Sequence, residues 1–140
     1  RPRRTPARIP VASPLQVFPL PKIRRPSEFY RRSLGVLAAA KRMGARTKSG
    51  LMVGLGEEPA ALSRTLSDLR RAGCGLLTIG QYLRPTAAHP AVERYYSPVE
   101  FEALREDALG LGFEEVVSGP LVRSSYEAER LYDAVAVMER

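Results

Sequence analysis

The residues whose type and spacing suit chemistry are the run Gly54-Leu55-Gly56-Glu57, the hydroxyl pair Ser124-Ser125, His89 and Cys74. The first sits in Thr47 to Glu58, which opens polar, runs apolar from Leu51 to Val53, breaks at Gly54 and Gly56, and turns acidic. That order predicts a buried strand, a tight glycine turn and the first turn of a helix. Glycine there admits positive φ, or a close approach of backbone to a ligand. Such a turn can hold a phosphate at a helix N-terminus. Here Glu57 and Glu58 stand where the phosphate would sit, so they satisfy the positive helix end and repel a second anion. The third glycine of a dinucleotide fingerprint is also missing. Ser124-Ser125-Tyr126-Glu127 has the form of an S-x-x-E capping box. Cys74 is the only cysteine of the 140 residues, so these residues make no disulfide among themselves and no cysteine metal cluster. Between Gly73 and Gly75 it reads as a small buried hydrophobe at a helix-to-strand turn. His89 reads as an exposed loop histidine.

These residues need elements to position them. Ser27 to Met43 reads as a helix, with Ser27 as N-cap, Glu28 in the first turn and Gly44 as stop. Tyr30, Leu34, Leu37 and the stem of Lys41 share one face. After the Leu51–Val53 strand, Pro59 suits the first turn of a second helix, whose stripe is Leu62, Leu66 and Leu69. Residues 75–80 form a second apolar strand. Residues 81–96 make a long loop of the kind that usually carries function. Ser97-Pro98-Val99-Glu100 is a full capping box with proline at the first helical position. Phe101, Leu104, Ala108 and Leu111 should face the core. Residues 113–119 read as a third strand, 121–125 as a loop and 126–138 as a last helix. The expected fold is therefore α/β, with three parallel strands alternating with four helices and too few strands to close a barrel. Uniformly apolar strands suggest that both sheet faces are covered. A ligand is expected at the carboxyl ends of the strands.

Charge divides the chain in two. Residues 1–26 hold six Arg, one Lys, seven of the twelve prolines and no acid before Pro26. They read as a basic, extended or disordered tail preceding a body over residues 27–140. The net charge is +7, so the other fifteen basic residues balance all fifteen acidic ones. A neutral body argues against a nucleic-acid-binding domain. No apolar run reaches the length of a membrane span, and a reducing cytoplasm is the default location.

Longer motifs resemble one family. Thr47-Lys48-Ser49-Gly50-Leu51-Met52-Val53-Gly54-Leu55-Gly56-Glu57, Leu77-Thr78-Ile79-Gly80-Gln81-Tyr82-Leu83-Arg84-Pro85 and Ser118-Gly119-Pro120-Leu121-Val122-Arg123-Ser124-Ser125-Tyr126 look like the matching segments of lipoyl synthases. Tyr30-Arg31-Arg32-Ser33-Leu34 and Pro98-Val99-Glu100-Phe101 fit too, so the resemblance runs from about Pro21 to Ala128. It implies a radical S-adenosylmethionine enzyme on a partial (β/α) barrel of the TIM type. One 4Fe–4S cluster would generate an adenosyl radical, and a second would supply two sulfur atoms to an octanoyl group on a carrier protein. Gly50 to Glu57 matches the family's G-x-I-x-G-x-x-E pattern with Met52 at the Ile position. The resemblance places Gly54, Gly56, Glu57, Ile79, Gln81 and Tyr82 on the S-adenosylmethionine side. It makes Ser124 the oxygen ligand of the auxiliary cluster, with Arg123 able to stabilise its alkoxide.

The chain departs from the family in three ways. Glu127 stands where His is usual, the Asn/His/Glu stretch before Pro21 is absent, and so are the cysteine triplets of both clusters, which lie in the family's first half. The expectation is therefore the C-terminal half of such an enzyme, as a fragment or truncated product, holding no cluster and inactive alone. Its bare sheet edge should favour self-association. The competing reading is a non-catalytic α/β interaction module whose basic arm binds an acidic partner.

Overall fold

The computed structural model describes residues 11–12 and 27–123, with side chains from Tyr30 onward. The elements run β1 (Val11–Ala12), α1 (Ser27–Arg42), β2 (Lys48–Val53), α2 (Pro59–Arg71), β3 (Leu76–Gln81), α3 (Pro98–Gly110) and β4 (Glu115–Gly119). The three expected strands are present. β1 joins them as a two-residue addition from within the stretch read as a tail, pairing Val11 with Lys48 and Ala12 with Ser49. The expected last helix and Ser124 lie outside the described residues. Ser27 is the first helical residue of α1 rather than its cap, a shift of one position at a helix end.

All neighbouring strands are parallel, in the spatial order β1-β2-β3-β4. Sequential order with right-handed crossovers winds every connection over the same face of the sheet. The core agrees, since one cluster joins Leu37 of α1, Leu62, Leu66 and Leu69 of α2, and Phe101 and Ala108 of α3. Against these lie Leu51, Val53, Leu77, Ile79 and Val116 from alternate positions of β2, β3 and β4. The expectation that both faces of the sheet are covered holds for β3, though not by helices among the described residues. Every residue of β3 is buried, yet the described helices occupy only one side.

The turns follow local rules. Pro59 opens α2, and Ser97 opens α3 with a complete capping box in which its hydroxyl accepts from Glu100 N. The α3 stripe differs from the expected one. Phe101 and Ala108 are buried, while Leu111 is 44% exposed. Leu111 is the C-cap, so the helix ends before carrying it onto the core, and Leu109 packs there instead. Gly73 takes φ 83° after α2, where the stem of Lys41 would collide with any Cβ, at 2.7 Å.

Cys74 is buried as expected, its thiol donating to the carbonyls of Leu76 at 3.3 Å and Thr47 at 3.8 Å. Burial pushes the thiol from its usual 9.0 up to about 11, against a smaller lowering by these hydrogen bonds. Tyr30, whose hydroxyl donates to Asp68 across α1 and α2, is pushed up to about 12, first by burial and then by that bond. Both folded values exceed the unfolded ones, so the unfolded chain loses its protons first. Their stabilisation is complete below pH 9 and is lost as pH rises to 11 for Cys74 and from 10 to 12 for Tyr30. The Cys74 share amounts to about 2–3 kcal/mol. Urea midpoints across this range should fall less steeply from pH 9 to 11 in Cys74→Ala; identical slopes would refute the assignment.

Candidate functional site at the carboxyl edge of the sheet

Two features meet where the strands end. The first is the glycine turn after β2. Gly54 and Gly56 both take positive φ, 105° and 92°. The carboxylate of Glu57 bends back and accepts from Gly54 N at 2.7 Å and Leu55 N at 2.9 Å. This corrects the expected role of the acids. The N-cap of α2 is Glu58, whose side chain makes no capping bond, and the first turn of α2 contains no acid. The turn is closed to phosphate because its two amides already hold a carboxylate from the same chain.

The second feature is the loop from Tyr82 to Ser97. Its return limb is bonded to the glycine turn, with Glu93 N and Arg94 N donating to the Gly54 carbonyl at 2.9 and 3.3 Å. Gln81 is 3% exposed. Its amide nitrogen donates to the carbonyls of Tyr82 and Arg94 at 3.1 and 2.9 Å, and its side-chain oxygen accepts from Tyr96 N at 2.9 Å. Tyr82 is buried, with its hydroxyl donating to the Pro90 carbonyl at 2.8 Å. The guanidinium of Arg94 stacks over the Tyr96 ring at 4.2 Å and pairs with Glu100. Burial and the neighbouring Glu57 carboxylate hold the Tyr96 phenol above its usual range. In the outer part of the loop Arg84 donates to the carbonyls of His89 and Ala87. His89 is exposed, as expected, and its ring meets Thr86 Oγ1 at 2.8 Å.

Of the residues expected on the ligand side, Gly54, Glu57, Gln81 and Tyr82 thus come together through the loop. Gly56 is exposed at the turn. The Ile79 side chain is fully buried in the helix-side core, which leaves only its backbone at the strand end.

A cavity of about 220 Å³ opens on the opposite face of the sheet, lined by Gly50, Leu51, Met52, Thr78, Gly80, Val122 and Arg123. Register explains it. Gly50 lies beside Thr78, and Met52 beside Gly80, which in turn pairs with Gly119. Small residues at alternate positions leave space above the strands. Of the described residues expected on the S-adenosylmethionine side none lines this cavity, whereas Arg123, expected beside the cluster ligand, does. The signal that finds it is the two-residue period, Gly50-x-Met52 and Thr78-x-Gly80, which separates this face from the leucine- and isoleucine-bearing one. Val122 and Arg123 fold over it. Arg123 Nη1 donates to the carbonyls of Val122 at 2.8 Å and Gln81 at 3.2 Å. Lys48 begins the same row, 2% exposed, and burial lowers the pKa of its ammonium.

The described residues do not fit an iron–sulfur cluster. Such a group needs several thiolates placed together. Cys74 is one, buried at the amino end of the strands with its thiol held protonated. No set of three or more His, Cys, Asp or Glu among the described residues could hold a metal ion. Nor is any helix among them long and apolar enough to cross a membrane.

No family model matches the chain. It is similar to the lipoyl synthase of Halorhodospira halophila, 54% identical over 115 residues that make up 81% of this chain and 34% of that one. With the lipoyl synthase of Mycobacterium bovis it is 56% identical over 109 residues, 78% of this chain and 35% of the other. With that of Mycobacterium avium it is 54% identical over 112 residues, covering 80% and 36%. The chain thus spans about a third of the length of the curated relatives it matches.

Proposed function

Since the chain belongs to the lipoyl synthase family, we propose that it supplies the C-terminal part of a cytoplasmic radical S-adenosylmethionine enzyme that inserts two sulfur atoms into a protein-bound octanoyl group. The observation that carries this reading is the identity of 54–56% over about four fifths of the chain. The fold supports it. Parallel strands in sequential order, with helices on one face, form the kind of sheet that a partial barrel of the TIM type is wound from. The glycine-floored cavity then belongs to the inner face. Its lining of Met52 and Val122 suits the apolar part of a ligand. Cluster chemistry falls to none of the described residues. Ser124, outside them, is proposed as the oxygen ligand of the auxiliary cluster. Arg123 acts on the backbone in this proposal, holding the chain that leads to Ser124 over the end of β3.

A chimera tests the reading. The matching part of the Mycobacterium avium enzyme is replaced by this chain from Pro21 onward, and lipoyl product and 5′-deoxyadenosine are measured anaerobically. Retained turnover is the expected result. A chimera that folds and binds its clusters yet makes neither product refutes it. In the active chimera, Ser124→Ala should abolish lipoyl product. If Ser124 only caps a helix, the change costs about 1 kcal/mol of stability and leaves the product in place.

A further inference from the structure

We propose that Gln81 is a positioning residue that sets the shape of the sheet's carboxyl edge by tying the 82–97 loop to the Gly54–Glu57 turn. The ligand part of this inference rests on the reading of that edge as the S-adenosylmethionine side of the fold.

A carboxamide has two N–H donors and one oxygen acceptor. Both donors of Gln81 are spent on the carbonyls of Tyr82 and Arg94, and the oxygen takes the Tyr96 amide. The orientation is fixed by its partners, because carbonyls only accept and a backbone N–H only donates. This one side chain therefore binds the first residue of the loop and two residues of its return limb. Nothing is left on its nitrogen for a ligand.

Gly54 makes the arrangement possible. A Cβ there would lie 2.3 Å from Gln81 Nε2 and 2.5 Å from the Arg94 carbonyl oxygen. The missing side chain is the space into which the Gln81 amide and the loop backbone fit. The Gly54 carbonyl then receives Glu93 N and Arg94 N, and the Gly54 and Leu55 amides hold Glu57, beside which Tyr96 lies. The bonds run from Gln81 to Arg94 and Tyr96, and from Glu93 and Arg94 to Gly54, whose own amide holds Glu57. The loop's other ties are polar too, the Tyr82 hydroxyl on the Pro90 carbonyl and Arg94 on Glu100. From Leu83 to Tyr95 every residue but Val92 is exposed, so hydrogen bonds rather than apolar burial set its position.

Two variants separate the roles. Gln81→Met keeps the length and removes all three bonds. Gln81→Glu keeps an acceptor for Tyr96 N and removes both donors. Hydrogen exchange of the full chain should show the amides of residues 93–96 exchanging roughly tenfold faster or more in both variants, while Leu77 and Ile79 keep their protection. In the active chimera the same changes should raise the KM for S-adenosylmethionine roughly tenfold, with a smaller effect on kcat. A raised KM with unchanged loop exchange means that Gln81 touches the ligand itself, which overturns the proposal. So does faster loop exchange with an unchanged KM, since the loop then does not shape the edge. Loss of protection throughout the sheet in both variants also overturns it, because Gln81 is then a general stabiliser. If the chimera with Gln81 intact consumes no S-adenosylmethionine, the family reading is what fails, and exchange alone still decides the tie between loop and turn.

Discussion

Gly80→Ala is expected to lower the stability of the chain by about 2–4 kcal/mol and to lift residues 120–123 off the sheet. Gly80 lies in the middle strand of the three long ones, hydrogen-bonded on both sides, so its backbone has nowhere to retreat. A Cβ at this position would stand 2.1 Å from the carbonyl oxygen of Val122 and 3.2 Å from its carbon. Both are backbone atoms, and no rotamer change removes the conflict. The segment must move instead. In moving it exposes Val122, now 7% exposed, and breaks the bond from Arg123 to the Gln81 carbonyl on β3. Overpacking costs about 1–3 kcal/mol, and the one lost bond adds about 1 kcal/mol. Gly35→Ala is the control. It sits inside α1 with nothing within 4 Å of the new Cβ, so it should stabilise by about 0.5–1 kcal/mol. Urea unfolding followed by circular dichroism reads both. A Gly80→Ala midpoint equal to the parent's would show that residues 120–123 do not rest on β3.

What could be read from the sequence, and what could not, has a physical pattern. Signals confined to one turn were legible. Ser97-x-x-Glu100 closes the box it spells, Pro59 starts its helix, and Gly54 and Gly56 adopt positive φ. Each depends on residues within three or four positions of one another. Signals that depend on a partner far along the chain were not. β1 has two residues, and only the neighbouring edge of β2 makes it a strand. Leu111 fits a helical stripe, but the helix ends beneath it. Glu57 sits where an acid favours a helix start, yet two free amides three and two residues back compete for it and win. Gln81 is one polar residue after an apolar strand. Its full set of partners becomes visible only when the chain fifteen residues further on folds back onto it. The cavity face follows from the strand period, but its depth depends on Val122 and Arg123, which arrive from beyond the next strand.

Gly54→Ala should be the more damaging glycine replacement, at about 3–5 kcal/mol. Two costs fall on one residue. At φ 105° an alanine is strained whatever space surrounds it. Its Cβ also meets the Arg94 carbonyl oxygen at 2.5 Å and the Gln81 amide nitrogen at 2.3 Å. The Gln81 tip can swing aside, but only by giving up Tyr96 N and Arg94 O. Arg94 O belongs to a backbone held by two further bonds to Gly54 itself. Relief at one contact therefore loosens the whole return limb of the loop. Gly44→Ala isolates the conformational part. Gly44 takes φ 82° at the end of α1 with nothing within 4 Å of a new Cβ, so it should cost about 1–2 kcal/mol from backbone strain alone. The excess of Gly54→Ala over Gly44→Ala then measures how closely Gln81 and Arg94 press against the turn. Hydrogen exchange should place that excess in residues 93–96, with Leu66, Leu69 and Leu77 protected in both variants. Equal destabilisation by the two changes would mean that the loop does not rest on Gly54, and that the turn has glycine for its dihedral angle only.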